Sequence, residues 1–209
     1  SASKSPLILL VGLNDYLENY PYGCTEQLVS KTLPLMAMAK DAQFAKDATD
    51  IKDKIDYTIQ MLAQRQLSNG SISYWPSMAG AMNESDNFAT LYALHFLTEA
   101  KEQGYTVPSN LMGNGVAYLK EFVTQDVTNI NQARMQAYAI YLLTRQELVT
   151  TNYLTHLLLT LDKNKDIKWK NDITSVYIAA TYQLLKNDSE ALKMLQFFKP
   201  ENSIIDEDH

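Results

Sequence analysis

The sequence predicts an all-α fold, a ring of helical hairpins, on three observations. Apolar residues recur at the helical period along most of the 209 residues. Gly and Pro are scarce, with seven and six, which favours long helices over many-turned sheet. Segments apolar nearly all round alternate with more polar ones, as inner and outer helices of stacked hairpins do.

The elements follow in order. Residues 1–19 read as an N-terminal lead-in helix, and 20–209 as the main domain. A helix opens at Cys24 and runs toward Lys40. Over 48–66 the stripe is Ile51, Ile55, Ile59, Leu62 and Leu67. Over 86–103, Phe88, Leu91, Tyr92, Leu94, Phe96 and Leu97 leave almost no polar face, so this is a buried inner helix. Pro108 starts the next helix, a position where its missing N–H costs nothing, and Leu111, Leu119 and Phe122 line one side. A further pair covers 132–147 (Met135, Tyr138, Ala139, Leu142) and 152–161 (Leu154, Leu157, Leu158, Leu161). The last pair covers 172–185 (Ile173, Val176, Tyr177, Ala180, Leu184) and 189–198, with Asp188 as the expected N-cap. Only Ser71 to Trp75, after the turn pair Asn69-Gly70, alternates like a strand. The hairpins share no position-by-position signature of an open solenoid, and the alternation of inner and outer helices favours closure.

Composition removes several functions. With 24 acidic against 18 basic side chains and a net charge of −6, the chain lacks the basic stripe of a nucleic-acid binder. No apolar run approaches the roughly 20 residues that span a bilayer, so no direct membrane contact is expected of this segment. One cysteine forms no internal disulfide, no CxxC redox pair and no multi-Cys zinc site. Neither a P-loop, GxGxxG nor HExxH occurs, and no cofactor or metal is called for. DxDD and DDxxD are also absent, which argues against a terpene cyclase on a ring of this kind.

Chemistry concentrates at Cys24. Gln27 lies three residues on, and side chains at i and i+3 are neighbours on a helix. A thiolate there can attack the Gln27 carboxamide, expel ammonia and leave an internal thioester. The N-terminus of a helix favours both the thiolate and the developing oxyanion. Glu26, beside the pair, is placed to move protons during closure. The alternative is an inert cysteine packed as a small hydrophobe in a scaffold that binds a partner protein.

The surrounding residues carry a resemblance. Tyr20-Pro21-Tyr22-Gly23-Cys24-Thr25-Glu26-Gln27 resembles the thioester motif of the α2-macroglobulin and complement family, especially its bacterial branch. Arg65-Gln66, Asn69-Gly70-Ser71-Ile72 and Tyr74-Trp75-Pro76 are similar to the family's Gly-Gly-Phe-x-x-Trp turn, with Ser71 and Ile72 replacing the second Gly and the Phe. The helices after Asp86 and Gln132 continue the match in order, to about Phe198. The octet is specific, and the helix matches alone would be weak.

The resemblance implies a thioester-containing α/α toroid with fewer hairpins than the family's rings usually hold. It is then incomplete at its C-terminus and a fragment of a larger protein. Cys24 and Gln27 would form the thioester, supported by Gly23 and Glu26, with Tyr20, Tyr22, Tyr74 and Trp75 as candidate shielding aromatics. The family's reaction is a single turnover that covalently traps target proteases through their lysines, so the protein would be an inhibitor and not an enzyme. Its partners would be those proteases and the other domains of the parent. Bacterial members act in the periplasm, often as lipoproteins anchored to the inner membrane, which sets the expected location.

Some complement members pass the acyl group to a ring histidine. The family position falls just before the Gln132 helix, where this chain has Asn129-Ile130-Asn131, so amines are expected as targets over hydroxyls. His95 reads as a core or hydrogen-bonded residue, His156 as surface, and His209 as terminal. Lys163, Lys165, Lys168 and Lys170 around Trp169 read as a solvated inter-helix loop. Asp47, Asp50, Asp53 and Asp56, interleaved with lysines, read as a charge-balanced outer face and not as cation ligands.

Overall fold

The computed structural model describes residues 23–41, 47–76 and 85–198. Among them the chain forms eight helices: α1 (Thr25–Met38), α2 (Ala48–Arg65), α3 (Asn87–Glu102), α4 (Ser109–Phe122), α5 (Ile130–Arg145), α6 (Thr151–Lys163), α7 (Ile173–Leu184) and α8 (Asp188–Phe197). The lead-in helix expected over 1–19, Tyr20, Tyr22 and His209 lie outside the described residues. The chain divides into two compact units, Ser1–Tyr118 and Leu119–His209. No described helix is long and apolar enough to cross a membrane.

In the first unit α1 packs against both α2 and α3. The α2 stripe buries Ile51, Ile55, Ile59 and Leu62 as its spacing demands. The α3 helix is buried nearly all round by Leu91, Ala93, Leu94, Phe96, Leu97 and Ala100, while Phe88 is exposed and stacks on Tyr92 at 5.9 Å. Asp86 starts α3, its Oδ1 accepting from the Ala89 N–H at 2.6 Å. The Thr32 and Thr58 hydroxyls meet at 2.8 Å in the α1–α2 seam. On the outer side of α2, Lys52 pairs with Asp56 and Lys54 with Asp50, the charge-balanced face expected.

The strand-like stretch from Ser71 to Trp75 pairs only as isolated bridges, Gln66 with Ile72 and Ser73 with Ser85. Its turn depends on Gly70, at φ +88°, where an added Cβ would lie 2.2 Å from the Asn114 carbonyl oxygen on α4. Gln66 ties the same turn to α4 by donating from Nε2 to the Leu111 carbonyl at 2.9 Å.

In the second unit α5 packs against α6 and α7, and α7 against α8. Asn129 caps α5 and Asp172 caps α7. The buried face of α7 differs from the apolar stripe of the sequence: Thr174, Ser175, Ile178, Ala179 and Thr181 are inside, and Ile173 and Leu184 are exposed. Small residues permit this because the hydroxyls find local acceptors, Ser175 on the Asp172 carbonyl at 2.9 Å and Thr181 on that of Tyr177 at 2.9 Å. The N-cap of α8 is Asn187 and not Asp188: its side chain accepts from the Glu190 N–H, and Asp188 is the first helical residue. Lys186, at φ 61°, turns the chain one residue earlier than the sequence suggested. The four lysines around Trp169 are exposed, but the Trp169 ring is buried, with Lys170 Nζ 5.7 Å from its centre.

Candidate functional site

Cys24 is the N-cap of α1, in extended conformation (φ −67°, ψ 162°), and is 3% exposed. Its side chain makes no capping hydrogen bond. Gln27 is therefore the third residue of the helix. N-cap and third position are the two residues of a capping box, each side chain lying over the other's backbone N–H, so Cys24 and Gln27 share the first turn of the helix. The Gln27 Oε1 is buried and has no hydrogen-bond partner among the described residues. Leaving a buried carboxamide oxygen unpaired costs about 1–3 kcal/mol, a cost that Gln27 shares among the described residues with Gln136 of the second unit.

Three further segments fix the helix start. The Thr25 N–H donates to the Tyr74 carbonyl at 2.9 Å, and the Thr25 hydroxyl to the Ser73 carbonyl at 2.6 Å. Arg65, the last residue of α2, donates from Nη2 to the Gly23 carbonyl at 2.7 Å and from Nη1 to Thr25 Oγ1 at 3.0 Å. The Ser73 N–H returns to the Arg65 carbonyl at 3.0 Å. Buried Thr90 on α3 completes the cage by accepting from the Ile72 N–H at 2.9 Å.

Tyr74 donates its hydroxyl to Glu26 Oε2 at 3.2 Å. Hydrogen bonding to Cys24, followed by burial and the charges of Cys24 and Glu26, pushes the Tyr74 phenol up to about 12. Of the four aromatics singled out, Tyr74 thus touches the pair directly. Trp75 is 52% exposed, with its ring set edge-on to Tyr74 at 5.3 Å. Gly23 contributes its carbonyl to Arg65.

Arg65 was legible only as part of a motif, yet a signal existed: it falls three residues after Leu62, in phase with the buried stripe of α2, where a charged residue is out of place. The histidines stay away from the site. His95 is half-buried with Nε2 3.6 Å from Glu99 Oε1, and His156 is exposed on α6. No group of three or more His, Cys, Asp or Glu side chains among the described residues is placed to hold a metal ion.

Helical hairpins carrying a buried cysteine at a helix N-cap, with a glutamine three residues on, define an all-α helical-hairpin domain with a candidate Cys–Gln site at one helix start. The comparisons place it more narrowly. No family model matches the chain. The alpha-2-macroglobulin of Rickettsia conorii is 36% identical over 202 residues, covering 95% of this chain and 10% of that protein. Native alpha-2-macroglobulin from Escherichia coli, from domain MG7 to the C-terminus, aligns with a TM-score of 0.74 at 20% identity, covering 90% of this chain and 30% of that one. Salmonella alpha-2-macroglobulin reacted with methylamine aligns at 0.73 and 21% identity, covering 90% of this chain and 12% of that one. Trypsin-activated alpha-2-macroglobulin from Escherichia coli aligns at 0.68 and 20%, covering 85% of this chain and 13% of that one. The chain belongs to the bacterial alpha-2-macroglobulin family, of whose curated relative it spans about a tenth. The structural likenesses show the fold, and the all-α toroid class read from the sequence stands.

Proposed function

We propose that this segment stores an acyl group as an internal thioester between Cys24 and Gln27, which covalently captures an attacking protease through its lysines. The observation that carries the reading is the pairing of a buried N-cap cysteine that caps nothing with a buried, unpartnered Gln27 oxygen at the third helical position. On closure the Sγ–Cδ bond forms, the Cδ–N bond breaks, and the thiol proton leaves with the amide nitrogen as ammonia. A thioester carbonyl is a weaker acceptor than a carboxamide, so closure also relieves the unpaired buried amide.

On capture, a lysine amine attacks Cδ, the C–S bond breaks, and the sulfur departs as thiolate and takes up the proton lost by the amine. Tyr74 lies at the sulfur with its hydroxyl toward Glu26, a route for that proton. Each molecule reacts once, so the protein is an inhibitor and not an enzyme. The methylamine-reacted Salmonella protein and the trypsin-activated Escherichia coli protein support this reading for the family. The parent is proposed to act in the periplasm, as an inner-membrane lipoprotein with further domains, a location that cell fractionation tests.

In the full-length parent, trypsin is expected to become covalently attached, and Cys24→Ala or Gln27→Ala to abolish attachment. Methylamine should block capture, and glycerol should not compete, because Asn129-Ile130-Asn131 offers no histidine to relay the acyl group. Equal capture by the two alanine variants would return the chain to the reading of a scaffold with an inert Cys24.

A further inference from the structure

Arg65 sits where a charge is expensive to keep. It ends α2 in phase with Ile55, Ile59 and Leu62 and is 5% exposed. A guanidinium taken out of water costs several kcal/mol unless its partners compensate, and an apolar residue at such a position is often as stable or more so. Among the described residues no carboxylate pairs with Arg65. Its recorded acceptors are the Gly23 carbonyl and the Thr25 hydroxyl, which flank Cys24 on either side. The planar fork is what serves two such acceptors at once, and a lysine ammonium has no equivalent. The grip is backed from behind, since Thr25 is itself held by the Ser73 and Tyr74 carbonyls. Burial lowers the guanidinium below its ordinary value, and the neighbouring Cys24 raises it again.

We infer that Arg65 is the positioning residue of the Cys24–Gln27 pair, clamping the peptide before the cysteine and the side chain after it so that the sulfur stays seated on the N-cap. The inference rests on the thioester reading, since closure is the step that needs the seating. Misplacing reacting atoms by about 1 Å costs such a reaction about a hundredfold.

Arg65→Lys keeps the charge and removes the fork. In the full 209-residue chain it is expected to lower the closed fraction, read by intact mass as loss of ammonia, about tenfold or more. A second arm does not depend on closure. In a Gln27→Ala background, Arg65→Lys should raise the rate of iodoacetamide alkylation of Cys24 about tenfold, because the sulfur leaves its buried seat, with the helical circular dichroism retained. Thr25→Val, which removes one arm of the clamp and leaves the guanidinium, should move both readings the same way. If the parent closes and Arg65→Lys closes equally, the inference is overturned whatever the alkylation does. It is equally overturned if Arg65→Lys lowers Tm but leaves alkylation of the folded chain unchanged, since Arg65 is then structural only. A parent that never closes, with alkylation still accelerated by Arg65→Lys, contradicts the thioester reading and leaves the clamp standing.

Discussion

Around Cys24 the working groups are few, and each has a separable part. Tyr74 presents a ring and a hydroxyl: the ring meets Trp75 edge-on, and the hydroxyl reaches Cys24 and Glu26. Tyr74→Phe keeps the ring, so spontaneous hydrolysis should be unchanged while methylamine-driven thiol release slows about tenfold, at the low end of what a positioned proton donor supplies. A stopped-flow thiol assay checks this, and an unchanged rate would remove the hydroxyl from the mechanism. The phenol is raised to about 12, so it keeps its proton through the ordinary pH range. The hydrogen bonds it donates are fully present below its unfolded value near 10 and are lost as pH rises through 12. An ultraviolet titration of parent minus Tyr74→Phe should therefore show one phenol ionising near pH 12. The spacing of Cys24 and Gln27, with the octet around them, placed both at one helix start, where the structure has them. The Arg65 clamp was not legible, because both its acceptors are defined by backbone placement at a helix start that pattern cannot position to one residue.

Single caps and turns decide how the helices are held. Asp172 caps α7, accepting from the Thr174 N–H at 2.9 Å, and also pairs with Arg134 of α5 through Nε at 2.8 Å. Burial raises its carboxyl, but the hydrogen bonds from Arg134 and Thr174 outweigh burial and hold it below 3.8. Its contribution is thus present above about that value and lost as pH falls through the folded one. Asp172→Ala is expected to cost about 1–2 kcal/mol in urea unfolding at pH 7, and progressively less as the pH falls through the folded value. Gly70→Ala should cost about 2–3 kcal/mol, since its Cβ meets the α4 backbone and its φ is positive. By thermal unfolding, a Tm equal to the parent's would contradict that contact. Among the described residues, helix existence and order were readable because the apolar period is strong. The face of α7 was not: apart from Ile178 its inward side is built from Thr174, Ser175, Ala179 and Thr181, which carry little hydrophobic signal, while Ile173 and Leu184 face out.

For the whole molecule, the helical fold was predictable because scarce Gly and Pro and a sustained helical period leave few alternatives. The proposed function was readable only where the octet around Cys24 coincides with a helix start. Nothing in the periodicity of the other helices specifies chemistry; the cage of Arg65, Ser73, Tyr74 and Thr90 around that start is carried by α2, α3 and the turn between them. The central claim is the bond between Cys24 and Gln27, and intact-mass spectrometry of the native chain before and after methylamine tests it most directly. The expected mass is one ammonia below that of the sequence, followed by a gain of one methylamine together with the appearance of a single titratable thiol. A mass equal to that of the sequence, with the Cys24 thiol titratable from the start and no change on methylamine, would contradict that claim.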